Sequence, residues 1–130
     1  MTIDGSLRST FRRHLPDFDW VSVETGLTER GVPDSNYCCD GVEGWIEHKT
    51  CRGWRVSIRP EQVAWCERRL RHGGHVFLAV RKPDYGMWLF AGENMRRLLD
   101  NRVCDLSPLG VWVGSPSRWD WEQIRKLLLT

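Results

Sequence analysis

Gly44-Trp45-Ile46-Glu47-His48-Lys49-Thr50 is the stretch on which the fold turns, together with Asn36-Tyr37-Cys38-Cys39 and Asp40-Gly41 before it. Two runs of strand-forming residues joined through Asp-Gly predict a β-hairpin over Asn36 to Lys49. Side chains alternate faces along a strand, so Glu47 and Lys49 point one way while Ile46 and His48 point the other. Thirteen residues before Glu47 stands Asp34, preceded by Gly31-Val32-Pro33. If Asp34 begins the first strand of the hairpin, its carboxylate lies beside Glu47 at the end of the sheet and forms an acidic pocket. Such a pocket needs a cation, and magnesium suits it, because a hard ion takes oxygen ligands and keeps several waters. The backbone carbonyl of His48, between the two strand residues, is an expected further ligand. A bound ion would acidify a water and polarise a phosphate. Lys49 would then either help deprotonate that water or stabilise developing charge.

Working outward, Cys51 to Arg59 is a loop rich in arginine. Pro60 suits the first turn of a helix, on which Val63, Cys66 and Leu70 recur on one side until Gly73-Gly74 stops it. His75 to Arg81 is apolar enough for a strand inside a sheet. Lys82 to Gly86 then turns the chain into a strand from Met87 to Ala91. A short helix is expected over Glu93 to Leu99, a short strand at Val111 to Val113, and a closing helix from Trp119 to Leu129 with Ser117 and Asp120 near its start. Upstream, Leu7, Phe11 and Leu15 form one stripe of a helix from Ser6 to Leu15, ended by Pro16, and Trp20 to Glu24 reads as a strand. The expected class is α/β, with one central mixed sheet flanked by helices and one domain over residues 1–130.

Pro33-Asp34 followed by Glu47-x-Lys49 resembles the signature of the PD-(D/E)XK nuclease superfamily. Gly31-Val32, Trp45-Ile46, Thr50, Gln62 opening a helix, Trp65, and Gly73-Gly74 before an apolar strand look like its VRR-NUC branch, which is also similar to Holliday-junction resolvases. The resemblance covers Glu24 to Val80 and leaves Arg81 to Thr130 unmatched. It implies a restriction-endonuclease-like core, dependence on Mg2+ or Mn2+, and hydrolysis of DNA phosphodiester bonds. Asp34, Glu47 and Lys49 carry over directly as catalytic residues, with Asp34 and Glu47 holding the metal. Gln62 matches a glutamine that reaches back toward water or phosphate. An acidic residue from upstream is often added; Glu24 is the candidate, Glu29 a weaker one. His48 departs from the apolar residue common between Glu and Lys, and its imidazole needs a partner if that face packs against a helix.

Composition neither announces nor excludes a nucleic-acid partner. Net charge is only +2, but Arg52, Arg55 and Arg59 cluster after the candidate strand, and Arg68, Arg69 and Arg71 crowd the next helix. Arg52, Arg55 and Arg59 are candidate phosphate contacts. Trp54 would either stack on an unpaired base or pack inward over the sheet edge. The five cysteines lack a disulfide framework. Zinc at Cys38, Cys39, His48 and Cys51 is disfavoured, because adjacent strand cysteines face opposite ways. The absence of a long apolar run or signal-peptide core makes the cytoplasm the expected compartment and a membrane an unexpected partner. Compactness is compatible with a viral or mobile-element origin. The expected function is a metal-dependent, structure-selective endonuclease acting on branched DNA or junctions as a homodimer. The alternative is a non-catalytic DNA-binding or assembly module that keeps the nuclease fold.

Overall fold

The computed structural model describes residues 3–23 and 31–130, with side chains from residue 7 onward. Three helices, α1 (Ile3–His14), α2 (Pro60–Arg71) and α3 (Trp121–Leu128), surround six strands. These are β1 (Asp19–Ser22), β2 (Ser35–Cys39), β3 (Val42–Thr50), β4 (Val76–Lys82), β5 (Gly86–Ala91) and β6 (Gly110–Val113). They form one mixed sheet in the order β1-β2-β3-β4-β5-β6. Neighbours are antiparallel except β3 and β4, which run parallel and are joined through α2. This is the flanked central sheet expected from the sequence. The β2–β3 turn forms through Asp40 and Gly41, both left-handed (φ 53° and 79°), which matches the twist of the strands it joins.

The sheet buries both faces. On one, Leu7 and Phe11 of α1, Leu15 just after it, and Ile124 and Leu128 of α3 pack against Tyr37, Ile46, Ala79, Leu89 and Trp112. On the other, Val63, Trp65 and Cys66 of α2 meet Leu78, Val80 and Phe90. Each such large apolar side chain contributes roughly 1.5–3 kcal/mol when fully buried, which is what clamps the helices to the sheet. Arg69 lies across the rings of Trp45 and Trp65, 5.4 and 4.8 Å from their centroids, so part of the basic face of α2 is engaged in packing.

Two expectations change. The segment expected to be one helix over Glu93 to Leu99 is two short 3-10 turns, Gly92–Asn94 and Arg97–Leu99. Its buried residues Met95 and Leu98 are three apart, the repeat of a 3-10 turn, and both join the core on the α2 side of the sheet. The closing helix starts later than expected, at Trp121, because Pro116–Arg118 forms its own 3-10 turn. Asp120 caps α3 by accepting from the Gln123 N–H at 3.1 Å. Among the described residues, no helix is long and apolar enough to cross a membrane.

Candidate active site

The pairing of β2 with β3 ends at Ser35 opposite Ile46. Beyond that point the strands part, and Asp34 donates its N–H to Glu47 Oε1 at 3.1 Å. The backbone of β3 explains what fills the gap. Trp45 N–H bonds the His75 carbonyl and Cys51 N–H the Arg81 carbonyl, so the odd-numbered groups face β4 and the even-numbered ones face away from it. His48 N–H therefore points into the gap and donates to Asp34 Oδ2 at 3.1 Å. Its carbonyl, turned the same way, faces the gap as well.

On the α2 side of the sheet, Glu47 and Lys49 share the face that alternation assigned them. Glu47 Oε2 accepts from Gln62 Nε2 at 3.2 Å and lies 3.4 Å from Lys49 Nζ. Gln62 Oε1 accepts from Lys49 Nζ at 3.3 Å and from Arg59 N–H at 3.0 Å. Gln62 is thus a bridge that fixes the carboxylate and the ammonium relative to each other. It sits in the first turn of α2, behind Pro60, whose fixed φ suits that position. The Gln62 side chain is buried among these partners.

His48 has the partner its position demands. The residue is buried against Phe11 of α1, with ring centroids 4.9 Å apart, yet Nδ1 lies 2.7 Å from Asp34 Oδ1. An ionised carboxylate only accepts, so Nδ1 carries the proton of this bond. Ser35 Oγ donates to the same oxygen at 3.0 Å. The opposite ring nitrogen, Nε2, is buried without a hydrogen-bond partner among the described residues. Burial pushes the Asp34 carboxyl up, but the charge and hydrogen bonds of His48, with the Ser35 hydroxyl, outweigh it and leave Asp34 below the usual range. Burial, then the charge of Asp34, pushes Glu47 above its usual range, against the opposing pull of Lys49.

This crowding of two carboxylates is what a cation would relieve. Asp34, Glu47 and the His48 carbonyl would offer oxygen donors of the kind magnesium or manganese accepts while keeping waters. Among the described residues, no three His, Cys, Asp or Glu side chains converge into a cage. The residues present fit a hard ion with an incomplete protein shell.

The predicted nucleic-acid contacts fall at the rim. Arg52 and Arg55 exchange backbone hydrogen bonds of 2.9 and 3.0 Å, forming a tight turn with both side chains exposed. Trp54, between them, is half-buried and rests edge-on against Trp88 at 5.8 Å. Arg59, exposed at the start of α2, stands beside Gln62. Glu24 and Glu29 lie outside the described residues. Sequence reasoning missed Ser35, the His48 imidazole as a donor to Asp34, and the ring cluster of Tyr85 and Trp88 beside Trp54. The polar residue at position 48 was the available signal for the second of these, and the Tyr85-Gly86-Met87-Trp88 spacing the only one for the third.

No protein-family description and no curated protein sequence matches the chain. Among solved structures it is similar to Hjc of Archaeoglobus fulgidus, a Holliday junction resolvase from an archaeal hyperthermophile. The TM-score is 0.54 at 15% identity, over 69% of this chain and 73% of that one. At that identity the likeness speaks for the fold, and the chain accordingly has the restriction-endonuclease-like α/β fold, a mixed six-stranded sheet flanked by helices.

Proposed function

We propose that this protein is a divalent-metal-dependent endonuclease that hydrolyses DNA phosphodiester bonds and selects branched structures. The observation that carries the reading is the single network joining Asp34, Glu47, Gln62 and Lys49 where β2 and β3 part. Pro33-Asp34 and Glu47-x-Lys49 support it from the sequence side, with the VRR-NUC-like residues around them, and the fold shared with a junction resolvase supports it from the other.

Asp34, Glu47 and the His48 carbonyl would hold Mg2+ or Mn2+, which when bound supplies acidification of a water and polarisation of the scissile phosphate. The chain's own residues do the rest. His48 and Ser35 hold the Asp34 carboxylate ionised and in one orientation, so it enters the site pre-organised. Gln62 keeps Glu47 and Lys49 in mutual register. The Lys49 ammonium then donates to phosphate oxygens as negative charge builds on them. Arg52, Arg55 and Arg59 neutralise flanking phosphates and set the register of the strand without reading its sequence. Cutting both strands at a branch requires two such sites, and we take the acting unit to be a homodimer.

The test is nicking of supercoiled plasmid and of a synthetic four-way junction by purified protein, with Mn2+, Mg2+ or EDTA, beside Lys49→Ala and Glu47→Ala. Cleavage that needs both metal and these residues, and favours the junction, is expected. Folded protein that cleaves nothing under any of these conditions would remove the nuclease reading and leave a DNA-binding module.

A further inference from the structure

We propose that Trp54, Tyr85 and Trp88 form a stacking platform for an unpaired base beside the candidate active site, so that the preferred substrate is DNA carrying a single-stranded arm. The inference rests on the nuclease reading for its position and deepens it by naming the substrate feature that is recognised.

Register puts the platform where a flanking nucleotide would lie. Lys49 is paired with Val80, and Val80 with Trp88. Paired residues share a face, so Trp88 stands on the same side of the sheet as Glu47 and Lys49, two strand spacings or about 10 Å from Lys49. Trp54 and Tyr85 close around Trp88, with centroid separations of 5.8 Å (Trp54 to Trp88), 6.0 Å (Trp54 to Tyr85) and 6.2 Å (Tyr85 to Trp88).

The cluster stands on hydrogen-bonded backbone and is open at Tyr85. Trp54 accepts at its carbonyl from Val103 N–H, Tyr85 N–H bonds the Lys82 carbonyl, and Gly114 N–H bonds the Tyr85 carbonyl. These bonds pin the backbone on which the rings stand. An aromatic cluster serving only as core would be covered, whereas Tyr85 is 43% exposed, and neighbouring Val113 on β6 is 60% exposed. Among the described residues the buried Trp88 indole N–H has no hydrogen-bond partner, and its ring is held by packing against Trp54, Tyr85 and Phe90.

The charge around the rings suits a nucleotide. Lys82 Nζ lies 5.1 Å from the Trp54 ring centroid. Between the turn that carries Trp54 and the β4–β5 hairpin runs a cleft of about 390 Å³, lined by Cys51, Arg52, Gly53, Lys82 and Asp84 among others. Two cations and one carboxylate leave it net positive. A base stacked on the exposed Tyr85 ring, with Trp54 turned 68° to that ring as the side wall, would set its phosphate toward Arg52 and Lys82, and stacking of this kind is indifferent to base identity because every base has a π-face. A paired base in a continuous duplex has no face to offer, which is the source of the selectivity.

The experiment measures binding in EDTA by fluorescence anisotropy. It compares a blunt duplex with the same duplex bearing a single-stranded arm that holds 2-aminopurine at its first unpaired position. Wild type should bind the armed duplex more tightly and quench the 2-aminopurine. Tyr85→Ala and Trp54→Leu should weaken that binding between about 5-fold and about 100-fold, affect the blunt duplex far less and lose the quenching, while Tyr85→Phe keeps the wild-type preference and quenching. Equal affinity of wild type for both duplexes, or variants that weaken both alike, would overturn the proposal. Because no metal is present, failure of cleavage sinks the nuclease reading without touching this result. Metal-dependent cleavage with no preference for the arm sinks the platform alone.

Discussion

Gly31→Ala tests whether the loop that delivers Asp34 and the helix that delivers Gln62 are built against each other. Gly31 is left-handed at φ 85°, and a Cβ there would stand 2.5 Å from the Glu61 carbonyl carbon and 3.0 Å from the Gln62 nitrogen. Ordinary contact starts at 3.4 Å and the Glu61 carbonyl oxygen is nearer still, so the loop and the first turn of α2 must separate by more than about 0.9 Å. The Gln62 to Glu47 hydrogen bond is 3.2 Å long and has no reserve for such a shift. Gly41→Ala is the matched control, since it too is left-handed, at φ 79°, but its Cβ would meet nothing within 4 Å among the described residues. The control should lose about 1–2 kcal/mol from backbone strain alone. Gly31→Ala should lose about 2 kcal/mol more, because a buried hydrogen bond to a charged group is broken as well. For a chain of this length that difference is a gap of roughly 6–10 °C in Tm, read by thermal unfolding without metal. Misplacing Gln62 and Lys49 by about 1 Å should also cut cleavage by roughly 100-fold under conditions where both variants are folded. Equal Tm losses in the two variants would refute the close approach, and an unchanged cleavage rate would refute its link to the site.

His48→Leu keeps the packing against Phe11 but removes the donor to Asp34, and should weaken Mn2+ binding, followed by metal-dependent thermal shift, by roughly 10–100-fold. His48→Asn, whose amide can donate from the place of Nδ1, should recover much of the affinity; two equally impaired variants would mean that the ring matters only as packing. Stability against pH gives a separate check. Asp34 is lowered in the folded protein, so its contribution is complete above the unfolded value of 3.8 and is lost as pH falls through the lower folded one. Glu47 is raised, so it acts the opposite way, with stability falling as pH climbs from 4.5 through its folded value. Asp34→Asn should flatten the acid limb, and denaturant titrations that show the same limb in both proteins would count against the His48 pair.

The elements that could be read locally are those whose reasons are local. The hairpin follows from Asp40-Gly41 between two alternating runs, and α2 from Pro60 with its apolar stripe. Glu47 and Lys49 on one face follow from strand alternation alone. The Glu93 to Leu99 segment misled because helix periodicity and a pair of 3-10 turns both put an apolar residue every third position, and only contact with the sheet separates them.

By itself the sequence determined the α/β class, the hairpin and the pairing of acidic and basic residues on β3, because periodicity and turn chemistry act over a few residues. Tertiary structure alone decided that His48, although on the opposite face from Glu47, bonds Asp34. That bond exists because the strands part at Ser35 and let the carboxylate reach the edge of β3. The placing of Trp88 level with Lys49 was decided there too, since register between strands is set by packing across the whole sheet and leaves no mark in any one of them.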